Sequence, residues 1–406
     1  MSPGATQETP LAEPVHTCDV AVVGRGLLGS AAARHLADLG ADVAVIGPGE
    51  PAELASHNGV FGSHYDESRI TRVLDRDPYF ARIAAASLGR HRELEERTGI
   101  EFYCPVGHLS VSGMGDYLDE MLANAAAAGV DCDVLDDVAL AQRFPRFRFG
   151  HGMTGAFDAR VGGHINPRRF IAAQCEAVRL QGGQQIDAVV TAIEPESGRI
   201  LVGLSDATVV KADQVLLATG AFANHLMIIP KEIDFAVQEH TVVFAEVDDG
   251  VAADLADMPS VICKRGDEIG ESVYLLPPVR YPDGRNYLKI GQSVGSLMTD
   301  PATMLTRWFQ SGGDAAIAAW LHEELAMLLP DVVVRSSHVE PCAVTKSPTG
   351  RQFIDRFPDS EIYALLADDG HVAKSADELG RIAAHRMRYG TVPTEYADED
   401  YRLVYR

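Results

Sequence analysis

Gly24-Arg25-Gly26-Leu27-Leu28-Gly29 stands between a short apolar run, Cys18 to Val23, and a stretch from Leu28 to Leu39 whose apolar residues recur at helical spacing. A second short run, Asp42 to Ile46, follows. This is a strand–helix–strand unit, and the right-handed crossover rule puts both strands side by side in one parallel sheet. Each glycine has a physical task. Gly24 permits the tight turn, Gly26 lets a pyrophosphate approach backbone N–H groups at the helix N-terminus, and Gly29 lets helix and strand pack closely. A dinucleotide site is therefore expected. An acidic residue roughly 20 positions on would accept hydrogen bonds from the ribose, but here the second strand ends in Ile46-Gly47-Pro48 and Glu50 comes three residues late. The ribose contact comes from Glu50, from backbone, or not at all, with Glu50 then a solvated loop charge, and the motif by itself does not separate NAD from FAD.

At 406 residues the chain exceeds the size at which one core keeps growing, so two domains are expected. Its net charge of -23 disfavours nucleic acid and anionic lipid, and no apolar run approaches the roughly 20 residues of a membrane span. A soluble protein with a small-molecule partner is the expectation. The six cysteines are scattered with no CxxC pair, which suits a reducing compartment, here the cytoplasm, and argues against a metal centre. Met1 to Thr17 lacks the basic start and apolar centre of a signal peptide and reads as a disordered tail.

Further along, periodicity predicts helices over Pro78 to Arg97, Pro301 to Gln310, Ala315 to Leu329 and Ser375 to Met387. Strands are expected at Phe102 to Val111, Val215 to Ala218, Gln238 to Val247, Ser272 to Leu276, Tyr287 to Gly291 and Ile362 to Leu366. Thr219-Gly220-Ala221 is a turn of small residues that lets backbone approach a ligand.

Four separated segments decide between the cofactors. They are the glycine motif; Gly62-Ser63-His64 through Arg69-Ile70-Thr71-Arg72; Tyr287-Leu288-Lys289-Ile290-Gly291; and Cys342 to Lys346, continuing through Phe353-Ile354-Asp355 to Gly370-His371-Val372-Ala373-Lys374. In order and spacing they resemble the monomeric sarcosine oxidase and N-methyltryptophan oxidase branch of the D-amino-acid-oxidase-like flavoproteins. The resemblance implies an α/β, overall α+β, architecture: a Rossmann-like FAD-binding domain assembled from residues 18–85, 145–228 and 335–392, and a substrate domain on a mixed β-sheet from residues 86–144 and 229–334, with a terminal tail over 393–406.

It also implies roles. Cys342 carries a covalent bond to the FAD, or else is an inert buried thiol. Lys289 lies over the flavin and promotes reaction with O2 by stabilising the developing anion, and Arg69 orients it. Arg72 and Lys374 bind a substrate carboxylate, Tyr274 and Val344 wall the substrate pocket, and Gly24, Gly26, Gly29, Ser63, His64, Arg69, Cys342, Gly370, His371 and Lys374 contact the cofactor. His64 and His371 are structural hydrogen-bonders rather than proton carriers. The expected activity is oxidation of a C–N bond of a small amine or amino acid to an imine, with O2 reduced to hydrogen peroxide, in a monomer or small homo-oligomer. The alternatives are a flavin dehydrogenase with another acceptor, an FAD-binding subunit without turnover, and an NAD-dependent dehydrogenase. Departures from the family pattern cluster at the pocket: Val344 replaces a tyrosine, Ser293 a frequent histidine, and Val372 and Ala373 a glycine and a phenylalanine. A bulkier or cyclic substrate than sarcosine is therefore expected. Asp368 and Asp369 replace small residues and either cap the last helix or meet a second cationic group.

Overall fold

The structure, a computed structural model, describes residues 16–225 and 228–406. Apart from His16 and Thr17, the tail expected over 1–17 lies outside these residues. His16 and Thr17 themselves open the first strand, His16–Val23. That strand pairs in parallel with Val43–Ile46 on one side and Val209–Leu217 on the other. Gln184–Ile186 and Ile362–Leu366 extend the parallel set at its two ends. The parallel strands thus come from three distant stretches of chain. The runs of Val, Ala, Leu and Ile in the inner strands are buried on both faces, as parallel sheets require, whereas the outer strand Gln184–Ile186 is exposed at both glutamines. Arg199–Leu204 and Val190–Glu196 continue the sheet as antiparallel strands, and Phe353–Arg356 pairs with Ile362–Leu366.

One face of this sheet is covered by helices Leu27–Asp38, Pro167–Leu180 and Val372–Tyr389, with Pro78–Thr98 packed outside them. Gly380 makes close helix packing possible, since a Cβ there would come within 2.6 Å of Ala31 and Ala32 backbone atoms. Four helices meet at one carboxylate. Asp377 accepts from Arg34, from Arg90 Nε at 2.6 Å and from Gln174 Nε2 at 3.0 Å. Burial alone would raise the Asp377 carboxyl, but Arg34 and its neighbours hold it well below the usual carboxylate range.

The second layer is a nine-stranded mixed sheet in the order Ser296–Leu297, Ala236–Val247, Asn286–Gln292, Ser272–Arg280, Ser260–Lys264, His108–Ser112, Thr154–Asp158, Asp133–Leu135, with Ser336–Lys346 pairing along Ala236–Val247. Only the Ser260–Lys264/His108–Ser112 pair is parallel among the described pairings.

Four expectations need correction. The strand expected over Phe102 to Val111 is two strands in different sheets. Tyr103–Cys104 joins a small sheet with Gly163–Ile165 and Arg69–Thr71, and His108–Ser112 joins the nine-stranded one. Pro105, which lacks a donor, and Gly107, at φ +94°, make the break between them. The strand expected to stop at Leu276 runs to Arg280, with an irregularity between Leu276 and Val279 that absorbs two prolines. Sheet membership also cuts across the expected domain boundaries. Helix Pro78–Thr98 passes unbroken through 85/86, and Thr154–Asp158 and Ser336–Lys346 belong to the nine-stranded sheet although they fall in the 145–228 and 335–392 segments. Finally, residues 393–406 are packed down rather than free. Tyr396 and Tyr401 are buried, Ile354 N donates to Tyr401 O at 2.9 Å, and Ile233 bridges Tyr405.

Replacing Asp377 by Asn should cost about 3–5 kcal/mol of stability, because Arg34 and Arg90 lose a buried counter-ion. Chemical denaturation of the two proteins side by side checks this, and a loss below about 1 kcal/mol would contradict it.

Candidate active site

A cavity of about 480 Å³ runs from the glycine turn, between the two layers, to the strand that carries Lys289. At its first end Gly24 adopts φ +109°, and a Cβ there would collide with the Ala218 carbonyl. A Cβ on Gly29 would collide with the Gly24 carbonyl. Gly26 is the residue before helix Leu27–Asp38, whose first turn has neither a side-chain cap nor an acidic residue, so its N–H groups are available to an anion. This cradle fits the pyrophosphate of a dinucleotide. Gly24 and Gly26 line the cavity, and Gly29 packs behind them. Gly47 also lines it, and a Cβ there would meet Arg25 N at 2.7 Å. Glu50 is instead held outside by Arg168, through bonds of 2.8 and 2.6 Å, so the carboxylate considered for the ribose is engaged elsewhere.

The middle of the cavity brings together Ser63, His64, Arg69 and Cys342. Ser63 Oγ accepts from Ala343 N at 3.1 Å, which ties this loop to strand Ser336–Lys346. The Arg69 guanidinium donates to the Ser63 carbonyl and lies 3.8 Å from Cys342 Sγ through both terminal nitrogens. Cys342 is 6% exposed, and its carbonyl accepts from Trp308 Nε1 at 3.0 Å. Burial lowers His64 to about 3, so the ring is neutral.

Lys289, on strand Asn286–Gln292, points into this region and is 2% exposed, not solvated. Its ammonium donates to Asp66 and to the Ser68 carbonyl at 2.8 Å. Asp66 also accepts from Tyr281 Oη at 2.8 Å and stands 3.3 Å from Arg69 Nε. Burial would raise the Asp66 carboxyl, but Lys289 and Arg69 overcome it and bring it down to about 2. Burial lowers Lys289 from the ordinary lysine value while Asp66 opposes that shift.

Tyr274 and Val344 both line the cavity. Tyr274 faces Gly291 across the strand pair, and a Cβ on that glycine would strike the tyrosine ring, so the absent side chain makes room for it. Ser293, Val372 and Ala373 line the same wall.

At the far end Arg72 and Lys374 do converge, but on a carboxylate of the protein itself. Asp75 accepts from Lys374 Nζ and from Arg72 Nη1 at 3.1 Å, with His371 Nδ1 at 3.6 Å. Arg72, His371 and Lys374 all line the cavity. Gly370 supplies φ +77° just before helix Val372–Tyr389, which begins three residues earlier than the periodicity predicts and so carries Lys374 in its first turn. His371 stacks on Phe80 at 3.8 Å and is kept neutral by burial. Asp368 does not cap that helix. It accepts from Gly370 N at 2.8 Å and Thr345 Oγ1 at 3.0 Å, binding the turn to strand Ser336–Lys346. Burial raises Asp369 to about 7.

Asp66, Asp75 and Tyr281 were not foreseen as site residues. A signal existed in Asp66-x-x-Arg69-x-x-Arg72-x-x-Asp75, two acid–base pairs at a spacing of three, but nothing in the segment says which distant lysine each acid receives.

The family model described as FAD dependent oxidoreductase (DAO) matches residues 19–386. The chain is similar to a monomeric sarcosine oxidase of Streptomyces avermitilis, at 24% identity over 92% of this chain and 94% of that one. It is also similar to an N-methyl-L-tryptophan oxidase of Yersinia pestis, at 22% identity over 90% and 94%. Among solved structures it shares the fold of NikD, described as an unusual amino acid oxidase essential for nikkomycin biosynthesis, with TM-score 0.74, 19% identity, and 97% and 99% of the two chains covered. An L-proline dehydrogenase from P. horikoshii aligns with TM-score 0.72, 17% identity and coverage of 95% and 97%. With a glycine cradle that fits a dinucleotide and a family match spanning nearly its whole length, this chain belongs to the DAO family of FAD-dependent oxidoreductases.

Proposed function

We propose that this FAD-dependent amine oxidoreductase is an oxidase of small secondary or cyclic amines that bear a carboxylate, with its flavin bonded covalently to Cys342. The observation that carries the reading is the charge layout of one cavity: a glycine cradle at one end, Cys342 beside Arg69 in the middle, and two separate cationic groups, Lys289 and the Arg72/Lys374 pair, reaching its wall. Bound FAD would supply the two-electron acceptor for a hydride from the substrate carbon and the route by which those electrons pass on. The chain supplies position and field. Arg72 and Lys374 take the carboxylate and so fix the reacting carbon. His64 and His371, both neutral, add no charge that would compete with the amine. Lys289 holds a buried cation where oxygen gains negative charge.

Covalent attachment would join Cys342 Sγ to the 8α carbon of the flavin, with the two protons and two electrons given up in forming the bond leaving on oxygen. Acid-precipitated protein should keep its yellow colour in the pellet, and Cys342→Ser should release it to the supernatant. Yellow supernatant from the wild type would remove the covalent link.

Val344, Ser293 and Ala373 leave the substrate wall with small side chains, so a small N-methyl amine leaves apolar surface unfilled. Anaerobic mixing with sarcosine, cyclic imino acids, larger N-alkyl amino acids and free amino acids, followed by flavin bleaching, reads the substrate class directly. A cyclic or bulkier amine should exceed sarcosine in kcat/KM by at least about tenfold, roughly 1.4 kcal/mol in the transition state. Sarcosine leading the set contradicts this.

One observation favours a second reading, a dehydrogenase with another electron acceptor: Asp66 is in hydrogen-bond contact with Lys289 and offsets its charge. Lys289→Met separates the two. For an oxidase the substitution should leave anaerobic reduction within about tenfold and slow reoxidation by oxygen at least about a hundredfold. For a dehydrogenase, reoxidation by oxygen is slow in the wild type and little changed in the variant.

A further inference from the structure

We infer that Asp75 is a positioning residue for the anion clamp: from behind the cavity wall it holds the Arg72 guanidinium and the Lys374 ammonium in register and trims their combined charge to one, so that the pair takes a single carboxylate. The inference rests on the reading that Arg72 and Lys374 receive the substrate carboxylate, and it goes beyond it by giving the pair a built-in counter-ion.

The geometry leaves Asp75 little else to do. It is 6% exposed and packed behind Arg72, His371 and Lys374, which line the cavity. One oxygen, Oδ2, receives Lys374 Nζ and Arg72 Nη1, and the other accepts from Asp77 N at 3.1 Å, which fixes the plane of the carboxylate. Asn124 Nδ2 donates to the Asp75 carbonyl at 3.0 Å and pins its backbone. Without this anion the arrangement is unfavourable twice over. Lys374 is 3% exposed in the first turn of its helix, where the backbone already presents positive partial charge, and it lies beside a second cation. With Asp75 in place, two cations and one anion leave one positive charge. An ammonium has three N–H donors and a guanidinium five, so each cation keeps donors for a ligand after bonding Asp75.

Lys374 faces Asp75, Arg72 and Asp77 from the segment before helix Pro78–Thr98, the Phe80 ring at 5.7 Å on that helix, and His371 at the start of its own helix. His108, whose ring feels both Arg72 and Lys374, is kept neutral by burial. Burial and then Arg72 bring Lys374 down to about 8, while Asp75 pulls it up. The sign follows: Lys374 carries its charge below about 8 and loses it above, and removing Asp75 moves that loss to lower pH.

The test is titration of the FAD-loaded protein with benzoate, with benzamide as the uncharged control, following the flavin absorbance from about pH 6 to about pH 10. Benzoate should bind at least about tenfold tighter than benzamide at the acidic end, and its affinity should fall above about pH 8. In Asp75→Asn that fall should move down by at least about one pH unit, and in Asp75→Glu, which keeps the charge, it should stay near the wild-type position. Should Asp75→Asn not accumulate as folded holoprotein, Asp75→Ser removes the same charge in less volume and is read the same way. A fall at unchanged pH in the neutral variant, with the preference for benzoate intact, overturns the role of Asp75 and leaves the clamp standing. Equal binding of benzoate and benzamide by the wild type overturns the clamp itself, and with it this inference.

Discussion

Two buried carboxylates nine residues apart hold the polar part of this molecule together. Asp66 and Asp75 flank Arg69 and Arg72, and each receives a lysine from far away in the chain: Lys289 from the nine-stranded sheet and Lys374 from the last helix. A buried ammonium without a partner would shed its proton or unfold its surroundings, and losing one member of such a pair commonly costs about 3–5 kcal/mol. The short segment that carries both acids is itself fixed by the Arg69–Thr71/Gly163–Ile165 strand pair and the Ser63–Ala343 bond. It is therefore the seam along which the parallel sheet, the mixed sheet and the covering helices share one cavity wall.

That seam explains how buried lysines are kept in a cavity whose wall is also built from glycine, aliphatic and aromatic side chains. Neither lysine is left to pair with whatever diffuses in. Each is pre-oriented by an acid and has donors to spare, so a ligand meets fixed dipoles and does not have to reorganise them. Two histidines of the same wall, His64 and His371, are neutral because burial outweighs their neighbours, so the positive charge there comes from lysines and arginines. The same logic appears away from the cavity, where Asp377 gathers Arg34, Arg90 and Gln174 and locks the helices that press on the parallel sheet.

Much of this was legible in the sequence. The glycine turn, the apolar runs of the parallel strands and the helix starting at Pro78 follow from local rules of turn geometry, burial and periodicity, and the structure has them where those rules put them. The resemblance carried by the Arg69–Arg72, Lys289 and Cys342–Lys374 segments pointed to the right family. The misread elements failed for local reasons as well. Pro105 and Gly107 split one apolar run into two strands of different sheets, and the last helix starts three residues before its periodic stretch, where Val372 and Ala373 line the cavity as well as packing on the core of the helix layer.

By itself the sequence determined the dinucleotide turn, the family and the types of residue at the cavity, because each depends on neighbours a few positions away or on a motif preserved in order. Only the tertiary structure decided the pairings. Whether Glu50 stands free or pairs with Arg168, whether Asp368 caps a helix or binds Thr345, and whether Arg72 and Lys374 stand open or share Asp75 are all settled by contacts between residues from about 23 to about 300 positions apart. Charges are chosen by burial and distance in space, and sequence separation carries no information about either.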